Sequence, residues 1–138
     1  MTDALPPAVE AFKRLFQGEP IDIAPHLSDD IELRPPTYGK SWHGKPLIQR
    51  LLVFAAEELG GLRYDRCLRD GACHALRFEG NLDGKPTSGV DIVELGADGR
   101  IVLIEIFARP PGQMLRLRDK MGARVAQDPD VARSMGLA

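Results

Sequence analysis

Cysteine, histidine and aromatic residues are scarce in this chain of 138 residues, which has two cysteines, three histidines, one tryptophan, two tyrosines and five phenylalanines. Two cysteines exclude a disulfide-dense scaffold. Cys67 and Cys73 also lack Cys-x-x-Cys spacing. A tight turn at Asp70-Gly71 would pair Leu68 with Cys73 and set Cys67 on the other sheet face, so two free, buried thiols are expected. His26, His43 and His74 share no close ligand spacing, so no metal is expected, and no motif calls for an organic cofactor. Excess charge is missing too: 18 basic against 20 acidic residues give a net charge of -2 and a pI near 5.9. Such a balance creates no field that draws a chain to nucleic acid or acidic lipid. The opening MTDALPPAVE has no basic segment followed by an apolar run, and no apolar stretch approaches membrane-spanning length. A cytoplasmic chain without nucleic-acid or membrane partners is the expectation.

Two familiar frames are likewise missing. Gly39-Lys40-Ser41 resembles the end of a phosphate-binding loop, but Arg34 stands where the first glycine belongs. Ser41 and Ser88 have His43 and Pro86 where a nucleophile elbow needs glycine, which argues against serine hydrolase chemistry.

What is present is strand-forming sequence. From Gly89 to Pro110, β-branched and aromatic residues flank the short loop Gly96-Ala97-Asp98-Gly99, the pattern of an antiparallel hairpin. Alternation gives Val102, Ile104, Ile106 and Ala108 one apolar face that belongs inside, and sets Asp91 beside Val93 and Leu95. An inward Asp91 is a carboxyl in apolar company, so it must be hydrogen-bonded, paired, or raised in pKa. Val90, Ile92, Leu103 and Phe107 point the other way and form an outer apolar band too large to leave in water. A homodimer through that face follows.

The rest of the chain supplies helices first and strands after. Ala8 to Gln17 carries a helical stripe of Val9, Phe12, Leu15 and Phe16; a turn over Ile21 to Leu27 leads through Ser28-Asp29-Asp30 into a strand at Ile31 to Arg34, and a loop runs from Thr37 to Gly44. Pro46 opens a strongly apolar helix that ends at Gly60-Gly61. Strands at Leu62 to Arg69 and Ala72 to Leu82 precede the Gly89 strand. A helix at about Gln113 to Ala126 aligns Met114, Leu117, Met121 and Val125, a stripe suited to covering the mouth of a pocket. Residues from about 128 to 138 read as a tail with a short helix capped by Asp128, the whole being one α+β domain.

Gly89-Val90-Asp91-Ile92, the Asp98-Gly99 turn, Arg100-Ile101-Val102 and Phe107-Ala108-Arg109-Pro110 resemble the closing strands of the SnoaL-like branch of the nuclear transport factor 2-like superfamily, which also holds polyketide cyclases and ketosteroid isomerase. The resemblance implies a cystatin-like cone, a curved antiparallel sheet wrapped around helices with an internal apolar pocket. It matches Asp91 to the strand aspartate that serves as acid/base in SnoaL-type cyclases and as a protonated hydrogen-bond donor in the isomerase. The isomerase's proton-shuttling aspartate falls on Pro35 and its first-helix tyrosine near Ala11; Gly89 stands where the Arg-x-Asp pair of limonene-epoxide-hydrolase relatives needs arginine. Steroid isomerisation and that epoxide opening are therefore disfavoured.

In such a cone His74, Leu76 and Phe78 share the pocket wall with Asp91, Val93, Ile104 and Ile106; Phe12 comes from the first helix, and Tyr38 and Trp42 from the entrance loop. Three readings stay open. One is an isomerase- or cyclase-type enzyme using Asp91 on an apolar carbonyl or polycyclic compound, with His74 or Tyr38 assisting. The others are a non-catalytic binder of a small apolar ligand and a dimeric interaction module.

Overall fold

A computed structural model describes residues 4–137. Helix α1 (Pro7–Phe16) begins at its own proline, buries Val9, Phe12 and Phe16, and stops before Gly18, whose φ of 93° suits glycine. The carbonyl of Phe16 accepts from the Leu62 amide at 2.9 Å, which fastens this helix to the start of strand β3. A 3-10 turn at Ala24–His26 leads into β1 (Leu27–Arg34), and the loop that follows includes the short strand β2 (Trp42–His43). Helix α2 (Lys45–Leu59), strands β3 (Arg63–Asp70), β4 (Cys73–Leu82), β5 (Lys85–Leu95) and β6 (Ile101–Arg109), and helices α3 (Pro111–Ala126) and α4 (Pro129–Ser134) complete the described chain.

The architecture is α+β, as expected, with a curved, unclosed sheet in the order β2-β1-β6-β5-β4-β3. It is not wholly antiparallel: β1 runs parallel to β6, with Leu33 opposite Ile104. Strand β1 also starts earlier than expected, at Leu27 rather than Ile31, and its pairing with β6 is irregular between Leu27 and Glu32.

Two more corrections come from bulges and loop length. On β6 the register shifts between Glu94 and Leu95, so Ile101 pairs with Leu95 and is fully buried, while Val102, expected inside, is the extra residue and only half-buried. At the β3–β4 turn Asp70 pairs with Cys73 and Leu68 with Ala75, two positions from the expected Leu68–Cys73 pairing. The thiols are free, but Cys67 is exposed and Cys73 half-buried rather than both buried. Cys67 opposes inward-facing Leu76 from the edge strand β3.

Inward residues of the central strands (Leu76, Phe78, Val93, Ile104) form one core with Phe12, Ile48 and Leu52 from the helices. Burying each such side chain is worth roughly 1.5–3 kcal/mol. Val131, Ala132 and Met135, in the segment read as a tail, belong to the same core. Asp128 caps α4 by accepting from the Val131 amide at 3.2 Å. No helix among the described residues is long and apolar enough to cross a membrane.

Candidate functional site

Asp91 lies mid-way along β5, between Leu76 of β4 and Ile106 of β6, and points into the side of the sheet that the helices cover. It is 4% exposed. Two residues before it on the same face is Gly89, and a Cβ there would come within 2.8 Å of the Phe78 ring and 2.2 Å of the Phe107 carbonyl oxygen. Only glycine leaves room for that ring. Tyr64 pairs with Phe78 from the edge strand β3 and packs edge-on against it at 6.3 Å between centroids. From there the Tyr64 hydroxyl donates to Asp91 Oδ2 at 2.9 Å.

That is the carboxyl's single hydrogen bond among the described residues. Burial pushes Asp91 up to about 7 from 3.8, and the Tyr64 hydrogen bond pulls weakly the other way. Tyr64 is itself raised well above the ordinary phenol range, first by burial and then by the facing carboxylate, so it stays a proton donor at neutral pH. The pair is a carboxyl poised to gain or lose a proton at neutrality and a phenol that holds one of its oxygens in place.

Around it lies a cavity of about 120 Å³. The sheet contributes Phe78, Asp91, Ile106, Ala108 and Thr87; α2 contributes Leu51, Leu52, Ala55 and Leu59; α3 contributes Met114, Leu117, Met121, Gly122 and Val125, with Met135 and Leu137 after them. The apolar stripe of α3 thus walls the pocket as its spacing implies. Buried Gln113 pins this helix by donating from Nε2 to the carbonyls of Leu82 at 3.0 Å and Lys85 at 2.8 Å. Lys120 pairs with Asp83 at 2.9 Å and Arg124 with Glu57 at 2.7 Å.

The cavity brings together Asp91, Phe78, Ile106, Tyr38 and Trp42 of the expected pocket set. His74, Leu76, Val93, Ile104 and Phe12 do not line it; all are buried in the core, and Phe16, one turn along α1, takes the place expected of Phe12. His74 is fully buried and neither ring nitrogen makes a well-formed hydrogen bond among the described residues; burial holds its imidazole below the ordinary range, and the nearby backbone of Ala72 and Val93 offsets only part of this. It does not assist Asp91. Sequence reasoning missed Tyr64 because the bulge at Asp65, between Tyr64 and Arg66, breaks simple alternation along β3. The available signal was that Tyr64 is the one aromatic residue in that strand, two positions from buried Leu62.

A second, open cleft of about 420 Å³ adjoins the first and shares Pro35, Pro36, Tyr38, Ile106 and Ala108 with it. Strand β1 ends at Arg34 opposite Glu105, so the cleft opens where β6 runs on without that neighbour. Among the described residues no group of three or more His, Cys, Asp or Glu side chains is placed to hold a metal ion.

No family model matches the chain, and no curated protein matches it. Solved structures do. An uncharacterised protein with a cystatin-like fold from Silicibacter pomeroyi DSS-3 has a TM-score of 0.87 at 27% identity, over 96% of this chain and 95% of that one. A steroid delta-isomerase from Pseudomonas aeruginosa has a TM-score of 0.75 at 25% identity, over 87% and 92%. A nuclear transport factor 2-like protein of unknown function from Exiguobacterium sp. 255-15 has a TM-score of 0.56 at 20% identity, over 74% and 98%.

The chain has a cystatin-like α+β fold. Within that fold the one deeply buried carboxyl among the described residues lies on the inner face of the sheet, against a cavity that is otherwise almost entirely apolar.

Proposed function

We propose that this is a SnoaL-like, cofactor-independent enzyme of the isomerase or cyclase type, acting in the cytoplasm on a small apolar carbonyl compound with Asp91 as acid/base. The observation that carries the reading is the Asp91–Tyr64 pair: a buried carboxyl raised to about 7, held through one oxygen by a phenol and bordering an apolar cavity. A base works best when its pKa lies near the operating pH, because it is then both ionised and basic enough to take a carbon-bound proton. In this reading the Asp91 carboxylate removes a proton from the carbon next to the substrate carbonyl, giving an enolate. The protonated Asp91 returns that proton to the same carbon or, in a conjugated substrate, to a more distant one. Tyr64 keeps its own proton and orients the carboxyl. The similarity to a steroid delta-isomerase supports proton-transfer chemistry. The cavity, about 120 Å³, suits a single ring or short branched chain rather than a fused-ring system.

The alternative of a non-catalytic binder is separated by one experiment. Acetophenone is incubated with the protein in deuterated buffer and exchange of its methyl protons is followed by NMR. Wild type is expected to accelerate exchange; Asp91→Asn, which keeps size and hydrogen-bonding capacity, is expected to lose at least a hundredfold, in the range general-base removal costs. Tyr64→Phe is expected to retain part of the rate. Binding without exchange across small aryl and alkyl ketones would leave a binder. The outer band of Val90, Ile92, Leu103 and Phe107 supports a homodimer in either case, since Phe107 is 58% exposed in the single chain.

A further inference from the structure

We infer that the ligand is an amphipathic anion, a carbonyl compound whose apolar body fills the cavity and whose carboxylate stays outside against Lys40. This rests on the proton-transfer reading for the carbonyl end. The other end follows from the open cleft, which continues the cavity through Tyr38 and two prolines and carries two cations, Arg34 and Lys40. Arg34 is already committed: it binds Glu32 at 2.8 Å and Glu105 at 3.4 Å. Lys40 has no carboxylate within 4.0 Å among the described residues, yet it is held in place, its Nζ lying 4.7 Å from the centroid of the Trp42 ring. Trp42 is buried and forms part of the cavity wall. A cation over an aromatic face is positioned at modest energetic cost and remains able to accept an anion.

The physical chemistry of the two compartments divides such a ligand. An ionised group cannot follow an apolar body into the cavity, where no cation faces it and solvation is lost. It is tolerated in the cleft, in contact with water and near Lys40. Asp91 adds a second reason for the same orientation, since a carboxylate placed beside it would repel it.

The test uses the benzoylpropionate anion, which joins one ring, a ketone and a carboxylate, and its neutral primary amide, measured by calorimetry at low and high salt. The wild-type protein is expected to bind the anion roughly threefold to fivefold more tightly at low salt, the scale of one exposed ion pair, with the preference fading at high salt. Lys40→Gln, at an exposed position, is expected to abolish the preference while leaving amide affinity unchanged. Equal affinities in wild type, a preference that survives Lys40→Gln, or binding of neither compound would overturn the inference. Asp91-dependent exchange of neutral acetophenone alongside equal affinities would show that the anion site alone has failed; loss of exchange with a Lys40-dependent preference would show that the proton-transfer reading has failed instead.

Discussion

His74 and Asp91 are two buried titratable residues facing the same way from adjacent strands, yet they have different consequences. Asp91 borders a cavity and has a phenolic partner; His74 is sealed in the core with both nitrogens unsatisfied. Alternation along β4 correctly predicts that His74 faces inward, but it does not show how far the cavity extends. For His74 the folded state disfavours the charged form, so the unfolded chain binds more protons below the ordinary histidine pKa. Stability is therefore lost as pH falls through about 6.5. His74→Leu removes both the unsatisfied nitrogens and this sensitivity. It is expected to raise stability by about 1–3 kcal/mol at pH 8, with the advantage over wild type growing as the pH is lowered to 5. Denaturant melts of both proteins at the two pH values check this; an advantage that shrinks on acidification would mean that His74 finds a partner when charged.

At the scale of elements, the hairpin of β5 and β6 was legible because its alternation is long and its turn residues are distinctive, and so was the covering stripe of α3. Bulges were not. A single extra residue at Val102 or Asp65 re-phases one strand against its neighbour, and such shifts are set by pairing across the sheet rather than by local sequence. The parallel β1–β6 contact was hidden for a similar reason, since it joins segments far apart in the chain. Helix α3 offers a direct handle on the cavity. Gly122 borders the cavity, and a Cβ built on it meets nothing within 4 Å. Gly122→Ala is expected to stabilise the protein by about 0.5–1 kcal/mol through helix propensity alone. Gly122→Leu should melt no lower than wild type while weakening acetophenone binding at least tenfold by narrowing the mouth. Unchanged affinity in a folded Gly122→Leu protein would place the entrance elsewhere.

At the scale of the whole molecule, the sequence pointed to the α+β cone and its buried aspartate, while the composition of the pocket depended on the C-terminal helices. Met135 and Leu137 complete the wall from a segment in which local sequence showed no chemistry. The outer sheet face remains the natural place for a second copy. Val90, Ile92 and Leu103 are half-buried and Phe107 is exposed. Phe107→Lys should convert a dimer to a monomer in light scattering at micromolar concentration without changing the fold by circular dichroism; a wild-type chain that is already monomeric would end the dimer proposal. The central claim, that the fold holds one carboxyl ready for proton transfer inside an apolar cavity, is tested most directly by a carbon-13 NMR titration of the Asp91 carboxyl in the intact chain. A midpoint near 7 is predicted, from burial with a single hydrogen bond from Tyr64. A midpoint close to 3.8, the value for an unburied aspartate, would contradict it.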